Sequence, residues 1–514
     1  MDNVMKEKGM GAWLQESVCA RQVTAELNTD LSLPDYLPEV KRLLCVRAVA
    51  TPADCYVGVG STELSGSVEY RMLYAGHDGA IYGASHKEDY RITVPMEVGA
   101  EIDVGEGLVC DAEILPEAVT GRVSAPRKLT LRSKLRADLR VLGMKRMEVD
   151  GLPAEDETAE RLYGEAPTAR AFAGKGEAFV LEDEIVFDAR REDLRVISAE
   201  GEVFVAEAEA GSGCVNCRGE ICLKLIYCYE GSEEPYATQL RKLPFSQSIP
   251  VDGCEVNCVA CAHGVCTDLH TTVEEGRVLC EVTAHLQARA MRSEMLCYVK
   301  DVYSTAVESE SRYTERSLPQ AIRCTNGNFS LNAMLTAEES GLRTGGRVLD
   351  AALIPTVSGM ESLRGRTILS GRCRCHLLLT DGDEVYAQEA EIPFRYELDG
   401  TEGIAEDYDA TVSPLSCRVR TDGGRVAVDA ELAVCLALRG SSHVRMLEQT
   451  RFGETLGRES AIYTVCYPAP ADSLWSVAKR YHRTVDSVSE LNGLSGSAFA
   501  DSSASLEGVK FLLV

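Results

Sequence analysis

The sequence predicts a mainly β protein: three tandem β-sandwich or barrel-like modules followed by a small βααβ unit. Three observations carry that prediction. A set of landmarks recurs three times at nearly constant spacing. The recurring segments alternate apolar and polar residues with the two-residue period of a half-buried strand. The last fifty-odd residues then switch to a helical period. With 514 residues the chain is also too long for one hydrophobic core, and three or four domains is the natural expectation.

The repeat is legible residue by residue. Arg42-Leu43-Leu44-Cys45-Val46 returns as Arg195-Val196-Ile197-Ser198-Ala199 and as Arg347-Val348-Leu349-Asp350-Ala351, at intervals of 153 and 152. The segments opening at Gly66, Gly219 and Gly371 keep the same two intervals. A tyrosine follows each (Tyr82, Tyr236, Tyr386), then a proline (Pro95, Pro244, Pro393). A period this long excludes a solenoid, whose repeats are far shorter. Cys280-Val282-Ala284-Leu286-Ala288 and Val426-Val428-Ala430-Leu432-Val434 occupy alternate positions, as strands with one buried face do. Turn chemistry separates the runs at Ala75-Gly76-His77-Asp78-Gly79, Glu230-Gly231-Ser232 and Asp381-Gly382-Asp383. The expected modules span 20–150, 177–317 and 322–455. The Ala-, Glu-, Gly- and Pro-rich segment 151–176 reads as the linker between the first two.

The unit 461–514 is organised differently. Tyr463-Thr464-Val465 reads as a short strand, and Asp472 is placed to cap a helix running through Tyr481. Leu474, Val477, Ala478 and Tyr481 then fall on one apolar face. A second helix over 484–492 turns Val485, Val488 and Leu491 inward, and 509–514 closes the unit as a strand. Trp475 lies about 100° around the first helix from Leu474, off that stripe. A large aromatic in such a place is either an interface anchor or a lid on the domain's edge. Tyr467 and Ile462 are further contact candidates.

Tyr463-x-Val465, Asp472-Ser473-Leu474-Trp475-x-Val477-Ala478, Tyr481, Val485, Leu491-Asn492 and Leu506-x-Gly508-x-x-Phe511-Leu512 together resemble a LysM domain. Leu33-Pro34-Asp35-Tyr36-Leu37-Pro38-Glu39-Val40, ahead of the first repeat, is similar to the SPOCS module (formerly DUF3794) of clostridial sporulation proteins. The order of SPOCS copies and one LysM unit resembles a family of spore-coat morphogenetic proteins. That resemblance implies a location in the mother-cell cytoplasm at the forespore surface. It implies a scaffold that tethers coat to forespore, with the LysM unit on a stage-IV sporulation protein A-like coat ATPase and the SPOCS modules on other coat proteins. Trp475, Ile462, Tyr463, Tyr467, Asp472 and Asn492 are then the expected partner-binding residues. The alternative is a LysM protein that binds peptidoglycan or chitin-type glycan. Cys466-Tyr467-Pro468-Ala469-Pro470-Ala471, and a long loop after Asn492, depart from the pattern in the two loops that cradle sugar, which favours a protein partner.

Charge and motif content exclude other classes. A net charge of −27 argues against nucleic acid and against adhesion to anionic membrane. No stretch approaches the roughly eighteen apolar residues of a membrane helix, and the first residues lack a signal-peptide run. The 20 cysteines are therefore expected as reduced thiols. Cys214-x-x-Cys217 and Cys258-x-x-Cys261 have zinc-like spacing, but the other two repeats carry no such pairs, so bystander thiols are the favoured reading and no cofactor is expected. H-E-x-x-H, G-x-S-x-G and phosphate-loop motifs are absent, and no enzymatic site is predicted.

Overall fold

A computed structural model describes residues 12–58, 60–152, 156–187, 194–229, 236–274, 276–363, 365–382, 384–401, 404–457, 464–494, 503 and 505–514. The first repeat comprises β1 (Ala12–Ser32), β2 (Val40–Ala50), β3 (Asp54–Val57), β4 (Ser61–Gly76), β5 (Ile81–Pro95), β6 (Ile102–Ala125) and β7 (Lys128–Met147). The second comprises β8 (Ala159–Lys175), β9 (Phe179–Val186), β10 (Leu194–Ala210), β11 (Cys214–Tyr229), β12 (Tyr236–Pro250), β13 (Val259–Glu274) and β14 (Arg277–Ser304). The third comprises β15 (Val307–Leu335), a one-turn helix α1 (Ala337–Ser340), β16 (Arg347–Leu363), β17 (Gly365–Thr380), β18 (Val385–Thr401), β19 (Asp407–Asp422) and β20 (Arg425–Thr455).

Each repeat builds two antiparallel sheets on one plan. In one sheet the first strand of the repeat joins the last two: β1–β7–β6, then β8 and β9 with β14–β13, then β15–β20–β19. The other sheet is a meander, β2–β4–β5, β10–β11–β12 and β16–β17–β18. Burial follows the alternation read from sequence. Val278, Cys280, Val282, Ala284, Leu286 and Ala288 of β14 are all buried, with more exposed residues between them. Between the sheets each repeat encloses its own apolar cluster, drawn wholly from its own residues. Where β4 turns into β5, Gly79 adopts φ +83°, the left-handed conformation that glycine takes without penalty. The turn residues expected at 230–232 and Asp383 lie outside the described residues.

The expected linker is a correction. Residues 159–175 form β8 and pair along their whole length with Gln287–Ser304 of β14. Its small side chains mislead composition-based reading because they serve close approach: Ala166 and Ala169 are buried, Ala166 in a cluster shared by the three repeats. The strand assignments likewise start the repeats earlier than expected, at 12, 159 and 307 rather than 20, 177 and 322.

The three repeats do not hang as separate beads. Leu44, Ile197 and Leu349 hold the same place in their repeats, as do Leu73, Ile226 and Leu378, and all six share one cluster. Glu113, His263 and Thr411 pair opposite equivalent positions of β7, β14 and β20. Thr411 Oγ1 donates to Glu113 at 2.7 Å, and His263 is near enough to help lower the same carboxyl. Equivalent residues can meet in this way only when the copies surround a common axis, so the repeats close into a pseudo-threefold ring. A second shared cluster, with Leu14, Leu296, Leu318 and Met446, joins them elsewhere.

Every pair of repeats is also joined by charge. Arg47 pairs with Glu200, Lys224 with Asp350 at 2.7 Å, and Arg140 with Asp407 at 2.8 Å. The Arg195 guanidinium donates to Ile81 O at 2.9 Å and lies over the Tyr82 ring. Most deeply placed is Arg289 of β14, 7% exposed, which contacts Asp111 at 2.7 Å, Glu113 at 3.1 Å and Asp409 at 4.0 Å. It thereby joins all three repeats.

Burial alone would raise the Asp409 carboxyl, but the guanidinium groups of Arg289 and Arg439 outweigh it and hold the group at about 2, below its ordinary 3.8. A carboxyl depressed in this way stabilises the fold fully above its unfolded value and loses that contribution as pH falls through the folded value. The urea midpoint should therefore drop between about pH 4 and pH 2. Asp409→Asn should flatten that part of the profile; an unchanged slope would remove Asp409 from the ring's acid sensitivity.

Candidate functional site

The C-terminal residues form β21 (Val465–Cys466), α2 (Leu474–Arg480), α3 (Val485–Leu491) and β22 (Leu512–Leu513), with β21 and β22 antiparallel. Of the residues the helical period selected, Leu474, Val477, Ala478 and Val488 are buried with Cys466, Leu506, Leu512 and Val514, and Tyr481 and Val485 pack against them. Leu491, expected to face inward, is instead exposed. The cap differs from expectation. Ser473, not Asp472, is the N-cap of α2, accepting from Ser476 N at 3.1 Å in a reciprocal capping box.

Asp472 does different work. Its carboxylate accepts from Ala469 N at 2.9 Å and from Arg480 Nη2 at 2.7 Å, so it ties the unusual first loop to the end of α2. Those hydrogen bonds, from Arg480 first, keep its carboxyl below the ordinary range. Asn492 is equally internal. Its amide donates to Val488 O and Leu513 O, and its oxygen accepts from Leu513 N at 2.7 Å, completing the backbone pairing of β22.

Trp475 lies off the apolar stripe, as the helical projection required, yet it is only 5% exposed. The surface it meets belongs to the same chain. Its indole Nε1 donates to Asp301 Oδ2 at 2.8 Å, and its ring meets Tyr303 edge-on at 4.8 Å. Lys479 Nζ and Tyr313 Oη both donate to Asp301 Oδ1 at 2.6 Å. Tyr303 Oη donates to Arg483 O at 2.7 Å, and Leu162 joins the same apolar cluster. The C-terminal unit is thus seated on the end of β14 in the second repeat. Burial opposes ionisation of Asp301, but Lys479, Tyr313 and Trp475 more than compensate and keep its carboxyl low.

Sequence reasoning missed Asp301 and Tyr303. The available signal was Cys297-Tyr298-Val299 and Val302-Tyr303, an apolar run that continues past the alternating stretch ending near Ala290. Tyr467 is 75% exposed, and Val465, Phe511 and Leu491 are also exposed apolar side chains of this unit. Ile462 and Tyr463 lie outside the described residues.

The cysteines with zinc-like spacing are dispersed. Cys217 and Cys258 belong to the core of the second repeat, whereas Cys261 sits at its junction with the third beside Met291 and Cys435. Among the described residues no three His, Cys, Asp or Glu side chains converge to hold a metal ion. Nor is any helix of the described residues long and apolar enough to cross a membrane.

Residues 194–283, from β10 into β14, match the family described as SipL, SPOCS domain. The chain therefore carries a SipL/SPOCS domain in its second repeat, and the strand order of that domain recurs in the first and third. No curated protein and no solved structure matches the chain.

Proposed function

We propose that this protein is a non-enzymatic scaffold of spore-coat assembly, acting in the mother-cell cytoplasm at the forespore surface. The observation that carries the reading is the SPOCS match at 194–283, set in a chain that repeats the same two-sheet plan three times. A ring closed by shared apolar clusters and buried charge suits a rigid platform on which other coat proteins bind the repeats. The C-terminal unit, read as a LysM domain, is the element that engages a stage-IV sporulation protein A-like coat ATPase.

Within that unit the residues divide by what their side chains are free to do. Tyr467 is exposed and able to meet a partner directly, with Val465 and Phe511 as apolar neighbours in the same unit. Asp472 and Asn492 shape the contact by holding the loop and strand in place. Trp475 reaches a partner only by leaving Asp301 and Tyr303. Ile462 and Tyr463 retain the partner role that the LysM resemblance implies.

The test is affinity capture from sporulating cells with the full chain and with a chain ending at residue 457. The full chain should bring down the coat ATPase and the shortened chain should not, while the full chain should fail to sediment with peptidoglycan. Equal capture of the ATPase by both chains would place its binding on the ring and overturn the role given to the C-terminal unit.

A further inference from the structure

The 20 cysteines are free thiols, and most are screened from chemistry by burial. Burial pushes Cys222, Cys266 and Cys280 up to about 11 and Cys217, Cys373 and Cys375 up to about 12, so that few of these thiols ionise at neutral pH. Cys261 is 0% exposed, sealed between the second and third repeats.

Cys55 is placed differently. It lies on β3, the four-residue edge strand of the first repeat, and is exposed. Cys110 of β6, in the other sheet of the same repeat, is its neighbour, and the Cys55 thiol itself points to Ala53 O at 3.9 Å. Both cysteines open on a cavity of about 580 Å³ between the first and second repeats, whose wall includes Lys175, His285 and Gln287. Lys175 is fixed there by Asp54 Oδ1 at 2.6 Å and Pro52 O at 3.1 Å. The neighbouring Cys110 thiol first, and the Lys175 ammonium with it, lower the Cys55 thiol below its ordinary value, outweighing burial and the carboxylates of Asp54 and Asp111. An accessible thiolate beside a second thiol is the arrangement that exchanges with disulfides most readily.

We propose that Cys55 and Cys110 form a reversible dithiol–disulfide site that reacts with low-molecular-mass disulfides entering the cavity between the first two repeats. The Cys55 thiolate attacks one sulfur of the small disulfide. Its S–S bond breaks, and one small thiolate leaves and takes up a proton from solvent. Cys110 loses its proton and attacks the Cys55 sulfur of the mixed disulfide, displacing the second small thiol. Two protein thiols are oxidised, one small disulfide is reduced to two thiols, and no other electron carrier is needed. The new bond links β3 to β6, joining the edges of the two sheets beside β8. This site is independent of the partner bound by the C-terminal unit.

The test uses the full-length protein at pH 7. Brief treatment with substoichiometric iodoacetamide, read by mass spectrometry, should label Cys55 at least tenfold faster than the average of the other cysteines. Incubation with oxidised glutathione should yield the Cys55–Cys110 disulfide as the first cross-link, reversed by reduced glutathione. Cys110→Ser should instead trap glutathione on Cys55, and Lys175→Gln should slow labelling of Cys55 several-fold while leaving the melting temperature of the ring close to wild type. Labelling of Cys55 at the average rate would overturn the proposal. So would a Cys110→Ser protein that takes up no glutathione at position 55.

Discussion

Arg289→Ala should destabilise the ring by about 3–5 kcal/mol, because it leaves Asp111, Glu113 and Asp409 buried or half-buried without their shared cation. The loss is expected to be large for a reason beyond the ion pairs themselves. Removing one member of a buried charge cluster strands the rest in a medium that solvates them poorly. Arg439 and Arg140 still reach Asp409, at 2.6 and 3.5 Å, but neither is paired with Glu113. Urea denaturation followed by circular dichroism measures the effect. Adding Glu113→Gln and Asp111→Asn to Arg289→Met should recover much of the stability, since it removes the stranded charges together with the cation. A loss under about 1 kcal/mol for Arg289→Ala would mean that water reaches the cluster and screens it.

Trp475→Ala should release the C-terminal unit from the second repeat. The substitution removes a buried aromatic, its edge-on contact with Tyr303 and the donor to Asp301, a combination expected to cost about 3–5 kcal/mol at that seat. Hydrogen exchange distinguishes release from unfolding. On release, the amides of Val302 and Tyr303 should lose protection, while Val477 and Tyr481, bonded to Ser473 O and Val477 O within α2, keep theirs. Loss of protection in α2 as well would mean that Trp475 holds the unit itself together. Asp301→Ala should produce the same release with α2 intact, because it leaves Lys479 and the indole without their acceptor. If the unit binds its partner through Trp475, both variants should change partner affinity in opposite ways: Trp475→Ala weakening it and Asp301→Ala strengthening it.

The repeat, its β content and most of the inward residues of the C-terminal helices were legible in the sequence, because each is a local pattern. Leu491, on the same helical stripe, is exposed because the short second helix ends there. Alternation at 278–288 expresses one wetter and one dry face of a strand. Leu474, Val477, Ala478 and Val488 follow from helical spacing alone. Where the local pattern was ambiguous, the reading failed in understandable ways. Residues 159–175 are rich in alanine and glycine, which suits a loop in isolation but also suits a strand whose neighbours lie close on both sides. Asp472 and Ser473 are both good caps, and only the backbone geometry at Ser473 decided between them.

What the sequence by itself determined is the kind of module, its number and the apolar faces each would bury. What only tertiary structure decided is how those faces are shared. In β20 the alternation gives way to unbroken burial from Leu432 to Leu438. Val434, Leu436 and Leu438 face one cluster of the third repeat, while Cys435 and Ala437 face the second repeat. A strand covered on both sides has no period to read, so the contact between repeats left no mark beyond apolar content. Arg289, Asp111 and Asp409 likewise stand far apart in the chain and look like ordinary surface charges until the ring closes. The same holds for Trp475: helical geometry put it off its own core, and only folding supplied Asp301 and Tyr303, some 170 residues earlier, as the surface that covers it.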